Sequence, residues 1–486
     1  MSDQWARIGL DLHLRVDREH GLRSGLERAL RDAVRRGQLS PGNRLPSSRV
    51  LALELGVSRG TVTQVYEQLA AEGFLTSEPR SGVRVAPRAG AAPGPALSPA
   101  PSFRPPVDGF DLRPGLPDLA TFPRREWLAA TRQVLQSAPH SVFGYGDPTG
   151  HGELRQALAD YLGRSRGVIT TPEHIIVCAG FTHALRVICR ALRRQGASVA
   201  FEDPALPDYP AMAAESGLRV NRIAVDGDGL LVGSLDDEVA AVVTPAHQFP
   251  LGVTLSPRRR IQLLAWARRT GALVVEDDYE GEFRYDRQPV GALQGLAPDD
   301  VIYCGTVSKS VAPALRIAWL AAPTRVVPAL REALRRDEAH VNVIDQLVLA
   351  RMIRRGELDR HLRRCRTRYR HRRDLLGRAV AARLPGARLS GIAAGLHAVL
   401  HLPAPSGEKA PQAGEKAPRA GEKAPRAGGE ARLLGRLSAH GVAVDGLSAF
   451  YHRPGDAPLG VVIGYATPPQ HEYESAVDAL VEAVRA

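Results

Sequence analysis

Apolar residues recur at helical spacing from Leu22 to Arg36, at Leu22, Leu26, Ala29, Leu30, Ala33 and Val34, which predicts an amphipathic helix. Pro41-Gly42 marks a turn. A second helix is expected after Leu45-Pro46, with Ser47 or Ser48 as its N-cap and Gly56 at its end. Ser58 caps a third, whose apolar stripe is Val62, Val65, Tyr66, Leu69 and Ala70. Two short helices joined at a glycine turn form a helix-turn-helix, and Arg59, Thr61 and Thr63 lie at the end that enters a major groove. Thr76–Ala86 reads as a hairpin with Arg80-Ser81-Gly82 at its tip. Such a wing can lie on a phosphate backbone or in a minor groove.

The pattern changes twice further along. Residues 86–108 read APRAGAAPGPALSPAPSFRPPVD. They hold too little apolar surface to offset the entropy of ordering, so a semi-extended linker is expected between domains at 12–85 and 109–486. From 109 onward, apolar strand-like runs alternate with amphipathic helices, the pattern of an α/β domain around a mostly parallel sheet. Residues 407–427 interrupt it with GEKAPQA-GEKAPRA-GEKAPRA. Each copy carries a proline and a glycine and lacks paired apolar positions, so the seven-residue period is not a coiled coil. A disordered surface insertion over 407–429 is expected, between a strand at Leu396–Leu402 and a helix at Glu430–His440.

With 486 residues the chain exceeds one ordinary core, and 44% hydrophobic with 24% charged residues is an ordinary globular balance. The net charge of +12 points to a polyanion such as nucleic acid, a signal that an arginine-rich composition weakens. Cys178, Cys189, Cys304 and Cys365 show neither CxxC spacing nor a histidine-rich neighbourhood. They are expected to be reduced and buried, and no metal site is expected. Met1–Asp11 lacks the charge and apolar pattern of a signal peptide, and no run is long enough to cross a bilayer. A cytoplasmic protein with no membrane partner is expected.

Three motifs in the large domain carry chemistry. Gly305-Thr306-Val307-Ser308-Lys309 follows the apolar run Val301–Cys304, and Arg316 stands seven residues after the lysine. A lysine amine can form a Schiff base with a phosphorylated aldehyde, while Thr306, Ser308 and the Arg316 guanidinium can hold its phosphate. Alone, a Ser-Lys pair is equally an ordinary surface lysine. Second, Glu276-Asp277-Asp278-Tyr279 follows the buried run Ala272–Val275, and ligand chemistry gathers at strand carboxyl ends in parallel sheets. A carboxylate there can keep a pyridine nitrogen protonated, and Tyr279 can donate to a ring oxygen; otherwise the acids simply cap a following helix. Third, Ile175–Cys178 leads through Ala179-Gly180 into Phe181-Thr182-His183, a strand, glycine turn and helix start whose free N–H groups suit a phosphate.

Over its first 85 residues, RLPSSRVLALELGVSRGTVTQVYEQLAAEGFL in particular, the chain resembles the GntR-type winged helix. The resemblance implies that Arg49, Ser58, Arg59, Thr61, Thr63 and the wing at Arg80, Ser81 and Gly82 contact double-stranded DNA. The three motifs, together with Gly115-Leu116-Pro117-Asp118, Tyr145–Gly150 and His247-Gln248-Phe249-Pro250, resemble fold-type I aminotransferases. Their union with the winged helix resembles the MocR-like regulators. This implies a pyridoxal 5′-phosphate (PLP) cofactor on Lys309, Asp277 at the pyridine nitrogen, and Tyr279 and His247 near the 3′-oxygen. It implies Gly180, Phe181, Thr182, Thr306, Ser308 and Arg316 at the phosphate. Tyr145 would reach the partner subunit's phosphate in a head-to-tail homodimer.

The chain departs from that pattern at three points. Leu206 occupies the place of the usual ring-stacking aromatic, unless Tyr209 supplies it; Phe181 stands where a small or hydroxyl residue is usual; and Leu459–Tyr465 lacks the arginine that binds a substrate carboxylate, leaving Arg453 in a nearby loop. Three functions compete: a regulator sensing PLP or a PLP–amine adduct, a working aminotransferase carrying a DNA reader, and a regulator whose large domain is only a scaffold. The missing arginine disfavours the second and the joint presence of Lys309, Asp277 and Arg316 disfavours the third. The expected function is PLP-dependent regulation by a small-molecule effector, PLP itself or an amine, with any transaminase activity vestigial.

Overall fold

The structure, a computed structural model, describes residues 21–78, 82–87, 107–285, 290–337, 340–391, 394–403 and 425–486. The chain divides into two compact units, Met1–Pro105 and Pro106–Ala486.

In the first unit, α1 (Leu22–Arg35), α2 (Ser48–Leu55) and α3 (Arg59–Ala71) precede a hairpin of β1 (Leu75–Glu78) and β2 (Gly82–Val85). Leu26, Leu30, Val34, Leu51, Val62, Val65, Tyr66 and Leu69 close a single core with Leu75 and Val85. Leu22, the first residue of the predicted stripe, is exposed. Ser47, not Ser48, caps α2, its hydroxyl accepting from the Val50 N–H at 3.3 Å. Gly56 ends that helix in the left-handed conformation that glycine tolerates. Ser58 caps α3 by accepting from the Thr61 N–H at 3.1 Å. The hairpin pairs Leu75 with Val85; Arg80 and Ser81 lie outside the described residues.

The second unit contains, in chain order, β3 (Phe110–Asp111), α4 (Arg124–Ser137), α5 (Gly152–Arg166), β4 (Ile175–Cys178), α6 (Phe181–Leu192), β5 (Ser198–Asp203), α7 (Asp208–Glu215), β6 (Arg219–Asp226), β7 (Gly229–Leu230), β8 (Ala240–Val243), α8 (Pro257–Thr270), β9 (Leu273–Asp278), β10 (Val301–Thr306) and β11 (Ala318–Ala321). After these come α9 (Val327–Arg335), α10 (Val343–Arg354), α11 (Glu357–Arg383), β12 (Arg388–Ser390), β13 (His397–His401), α12 (Pro425–Ala439), β14 (Val442–Ala443), β15 (Asp445–Gly446), β16 (Gly460–Gly464) and α13 (Tyr473–Arg485). The main sheet has the order β4-β11-β10-β9-β8-β5-β6-β7. It is parallel except for β11, antiparallel to both neighbours, and the edge strand β7. Near-continuous burial of β4, β5, β8, β9 and β10 explains their unbroken apolar runs, since helices cover both faces of such a sheet. A smaller antiparallel sheet has the order β12-β13-β16-β15.

Two sequence expectations need correction. The acids after Val275 do not follow the strand; they are its last three residues. The helix expected at Glu430–His440 begins at Pro425, inside the third heptapeptide copy. Residues 407–424 of the repeat, and 88–106 of the linker, lie outside the described residues.

Candidate functional site

Strands β4, β9 and β10 run parallel, so the turns after them emerge on one edge of the sheet. Strand β11 runs the other way and begins on that edge, just after Arg316. The three sequence motifs therefore converge at the place where parallel sheets bind ligands.

The acidic triplet separates by strand alternation. Glu276 accepts from the Leu293 and Gln294 N–H groups at 2.8 and 2.9 Å. Asp278 pairs with Arg166 Nε at 2.7 Å and accepts from the Tyr303 hydroxyl at 2.7 Å. Both are structural: Glu276 holds the first N–H groups of the 3-10 turn Gln294–Leu296, and the residues directly after β9 form no helix. Asp277 points to the opposite face and is buried. Burial holds its carboxyl well above the usual carboxylate range, Asp278 pushes it the same way, and the Lys309 ammonium pulls it down. A buried acid in this state suits a cationic ring nitrogen.

Lys309 lies in the turn after β10, and its Nζ donates to the Gly115 carbonyl at 2.5 Å. Thr306 Oγ1 donates to the Ile317 carbonyl at 3.1 Å and accepts from the Ser308 N–H at 3.1 Å, so this hydroxyl folds the loop that carries the lysine. Arg316 has φ 51°, the only positive φ among described non-glycine residues. Its guanidinium donates to the Ala179 carbonyl at 2.7 Å. An added Cβ on Gly180, whose φ is 91°, would come within 2.9 Å of that guanidinium. Gly180 thus leaves a cradle between a guanidinium and the first N–H groups of α6, at Phe181 and Thr182, a combination suited to a phosphate dianion.

Tyr279 donates to the His247 carbonyl at 3.1 Å. Burial, reinforced by Glu280, keeps its phenol protonated and therefore a donor. His247 Nδ1 lies 2.5 Å from Glu280 Oε1, and His397 Nδ1 lies 3.5 Å from the same oxygen. Burial alone would raise Glu280, but the His247 imidazole overcomes it and holds the carboxyl at about 2. No local pattern marks this trio, because His397 comes from the smaller sheet, 117 residues after Glu280. One ring nitrogen or carboxylate oxygen from each of the three lies within 4.8 Å of the others.

The departures from the aminotransferase pattern acquire a structural account. Leu206 packs with Phe249, Leu251 and Tyr451 against a cluster that contains the fully buried Val462. Val462, where a carboxylate-binding arginine was sought, is thus a core residue, and Arg453 is exposed. Tyr209 packs against Phe181 with ring centroids 5.0 Å apart, near enough to Asp277 and Arg316 for both charges to act on its hydroxyl. Of the two candidate ring-stacking residues, Tyr209 is the one beside Phe181 and within electrostatic reach of Asp277 and Arg316. Sequence reasoning also missed His183, whose Nδ1 accepts from the Ala179 N–H at 2.9 Å and so fixes the glycine turn. Tyr145 is 97% exposed.

On the first unit, Arg49, Ser58 and Arg59 are exposed. Arg59 Nε donates to Ser48 Oγ at 3.4 Å, which links the two helices of the helix-turn-helix. Ser58 Oγ and Thr61 Oγ1 lie 2.8 Å apart, and the Thr63 hydroxyl donates back to the Arg59 carbonyl at 3.0 Å. Gly82, with φ 85°, lies against the Arg44 guanidinium, a basic residue beside the wing that the motif alone did not single out.

The fold and this constellation define an aminotransferase-type domain joined to a winged-helix DNA-binding domain. Residues 108–458 match the aminotransferase class I and II family, and residues 22–85 match the bacterial regulatory proteins of the gntR family. The chain is 37% identical to the HTH-type pyridoxine biosynthesis transcriptional regulator PdxR of Corynebacterium glutamicum, over 77% of this chain and 82% of that one. It is 33% identical to the probable rhizopine catabolism regulatory protein MocR of Rhizobium meliloti, over 71% and 74%. The kynurenine aminotransferase of Pyrococcus horikoshii, solved in complex with PMP, superposes with a TM-score of 0.67 at 25% identity, over 78% of this chain and 91% of that one. The chain belongs to the MocR-like branch of the GntR regulators, and it is a DNA-binding transcription regulator with a PLP-type aminotransferase domain. Among the described residues no helix is long and apolar enough to cross a membrane.

Proposed function

We propose that this regulator senses PLP, or a PLP–amine adduct, through covalent capture by Lys309, and that capture changes its grip on an operator. The observation that carries the reading is the convergence of Lys309, the buried acid Asp277 and the Gly180–Arg316 cradle on one sheet edge, with Val462 closing the place of a carboxylate anchor. When bound, PLP supplies an aldehyde for the lysine and a ring that accepts electron density. The protein's own residues do the rest. Asp277 holds a proton at the ring nitrogen, and Tyr279 donates to the ring oxygen beside the His247 turn. Tyr209 covers the ring, while Gly180, Phe181, Thr182, Ser308 and Arg316 hold the phosphate; Thr306 braces their loop. The relative from C. glutamicum, a pyridoxine biosynthesis regulator, supports PLP itself as the effector.

Arg49, Ser58, Arg59, Thr61, Thr63 and the wing from Arg80 to Gly82 contact the operator, the arginines reading bases or pairing phosphates and the hydroxyls positioning the backbone. The active species is a head-to-tail homodimer in the cytoplasm. Exposed Leu128 and Leu135, seven residues apart on one face of α4, with exposed Phe143 and Tyr145, support a subunit interface there.

The test is the visible spectrum of the purified protein with PLP, together with operator affinity, for the wild type and Lys309→Ala. A band of lysine-bound cofactor that the substitution abolishes, with a change in operator affinity, is expected. No band in the wild type would sink the reading. Rapid keto-acid production from an amino donor would favour an aminotransferase that carries a DNA reader.

A further inference from the structure

A cavity of about 390 Å³ opens between the end of α5, the turn after β9 and helix α11. It is separate from the Lys309 site, although its wall residue Arg166 also holds Asp278, the strand neighbour of Asp277. Arg363, Arg366 and Arg370 line it at i, i+3 and i+7, so they share one face of α11. Arg366 gives Nε and Nη2 to the Glu282 carbonyl at 3.0 and 2.8 Å, and Arg370 gives Nη2 to the Tyr285 carbonyl at 2.8 Å. Each guanidinium is thereby fixed and keeps further N–H groups. The Arg363 guanidinium has no hydrogen bond or ion pair among the described residues. Arg166 Nη2 is buried without a hydrogen-bond partner on the same wall, where Gly281 leaves it room that a Cβ would take.

The charges do not cancel. Asp278 balances Arg166. Of the two acids lining the cavity, Asp359 is already paired with Arg164 at 3.1 Å. Burial and the adjacent Asp278 push the other, Glu282, up to about 7, so near neutrality it is only partly charged. Among the described residues, Arg363, Arg366 and Arg370 remain as a cationic excess. Planar guanidinium forks match tetrahedral oxyanions, and braced ones lose little entropy on binding.

We infer that this cavity is a second ligand site, for a small phosphate dianion such as orthophosphate or a phosphomonoester. Its volume of about 390 Å³ suits a small molecule better than the backbone of a duplex, which carries the same chemistry.

The probe is inorganic phosphate, titrated calorimetrically into the full-length, PLP-saturated protein at constant ionic strength. One saturable event per chain is expected, weakened at least about tenfold by Arg363→Glu and largely kept by Arg363→Lys. In chloride buffer the variants should melt with the wild type, since Arg363 is exposed and unpartnered. Phosphate should raise the melting temperature of the wild type and not that of Arg363→Glu. No saturable heat in the wild type, or equal affinity in Arg363→Glu and Arg370→Glu, would overturn the site. Displacement of phosphate by a short non-operator duplex, with steep salt dependence, would overturn it in favour of a DNA-backbone surface.

Discussion

Gly180 and the guanidinium of Arg316 are fitted to each other so closely that a single methyl group between them has no room. Gly180→Ala also strains a backbone held at φ 91°. The substitution should displace Arg316 from the Ala179 carbonyl and weaken PLP binding by about tenfold or more, a change worth about 1.4 kcal/mol. Absorbance titration with PLP measures this, and an unchanged affinity would place the phosphate elsewhere.

Tyr209 and Leu206 make opposite predictions. Tyr209→Ala should lower PLP affinity and shift the visible band, because its ring lies by Phe181 and the charges of the site. Leu206→Ala should instead cost about 2 kcal/mol of stability with the band unmoved, because Leu206 packs into the cluster around Val462. Denaturant melts and spectra on the same samples separate the two effects.

The buried trio sets an acid limit. His397 titrates at about 4 in the fold, lowered by burial from its ordinary 6.5. The folded state therefore binds fewer protons than the unfolded one, and stability is lost as pH falls from about 6.5 towards 4. Glu280, held at about 2 instead of 4.5, adds a second loss between about 4.5 and 2. Melting temperature against pH should show both limbs, and His397→Gln should flatten the upper one; His401, also lowered to about 4, and His183 and His361, lowered by burial, contribute to the slope that remains.

Arg59→Ala should weaken operator binding by about 1–3 kcal/mol, roughly five- to 150-fold, with relaxed specificity at the base it reads. Ser47→Ala should instead cost about 1 kcal/mol of stability, since its hydroxyl caps α2. Gel-shift titration at fixed salt distinguishes the two; equal affinities for Arg59→Ala and wild type would remove Arg59 from the interface.

Much of this was legible in the chain. Caps, stops and apolar stripes are local, so α1 to α3 and the turns at Gly180 and Lys309 could be read from neighbouring residues. What could not be read depends on strand register and on partners distant in sequence. Only alternation along β9 shows that Asp277 serves the site while Glu276 and Asp278 brace the fold. His397 meets Glu280 only because two sheets pack together, and Val462 declares itself a core residue only beside Leu206. The start of α12 at Pro425 was hidden for another reason: a proline is tolerated in the first turn of a helix, so its presence in a repeat marked no boundary.

The hydrogen bond from Lys309 to Gly115 gives capture a cost and a direction. An aldehyde that takes the amine would replace N–H groups of the ammonium and so alter its bond to the carbonyl of residue 115, in a stretch only a few residues past the one that joins the two units in sequence. That stretch is also tethered at Asp118, which Arg368 and Arg372 both grip. Under the proposed capture, effector chemistry at Lys309 would therefore be felt in the backbone at residues 115–118, close in sequence to the segment that joins the two units.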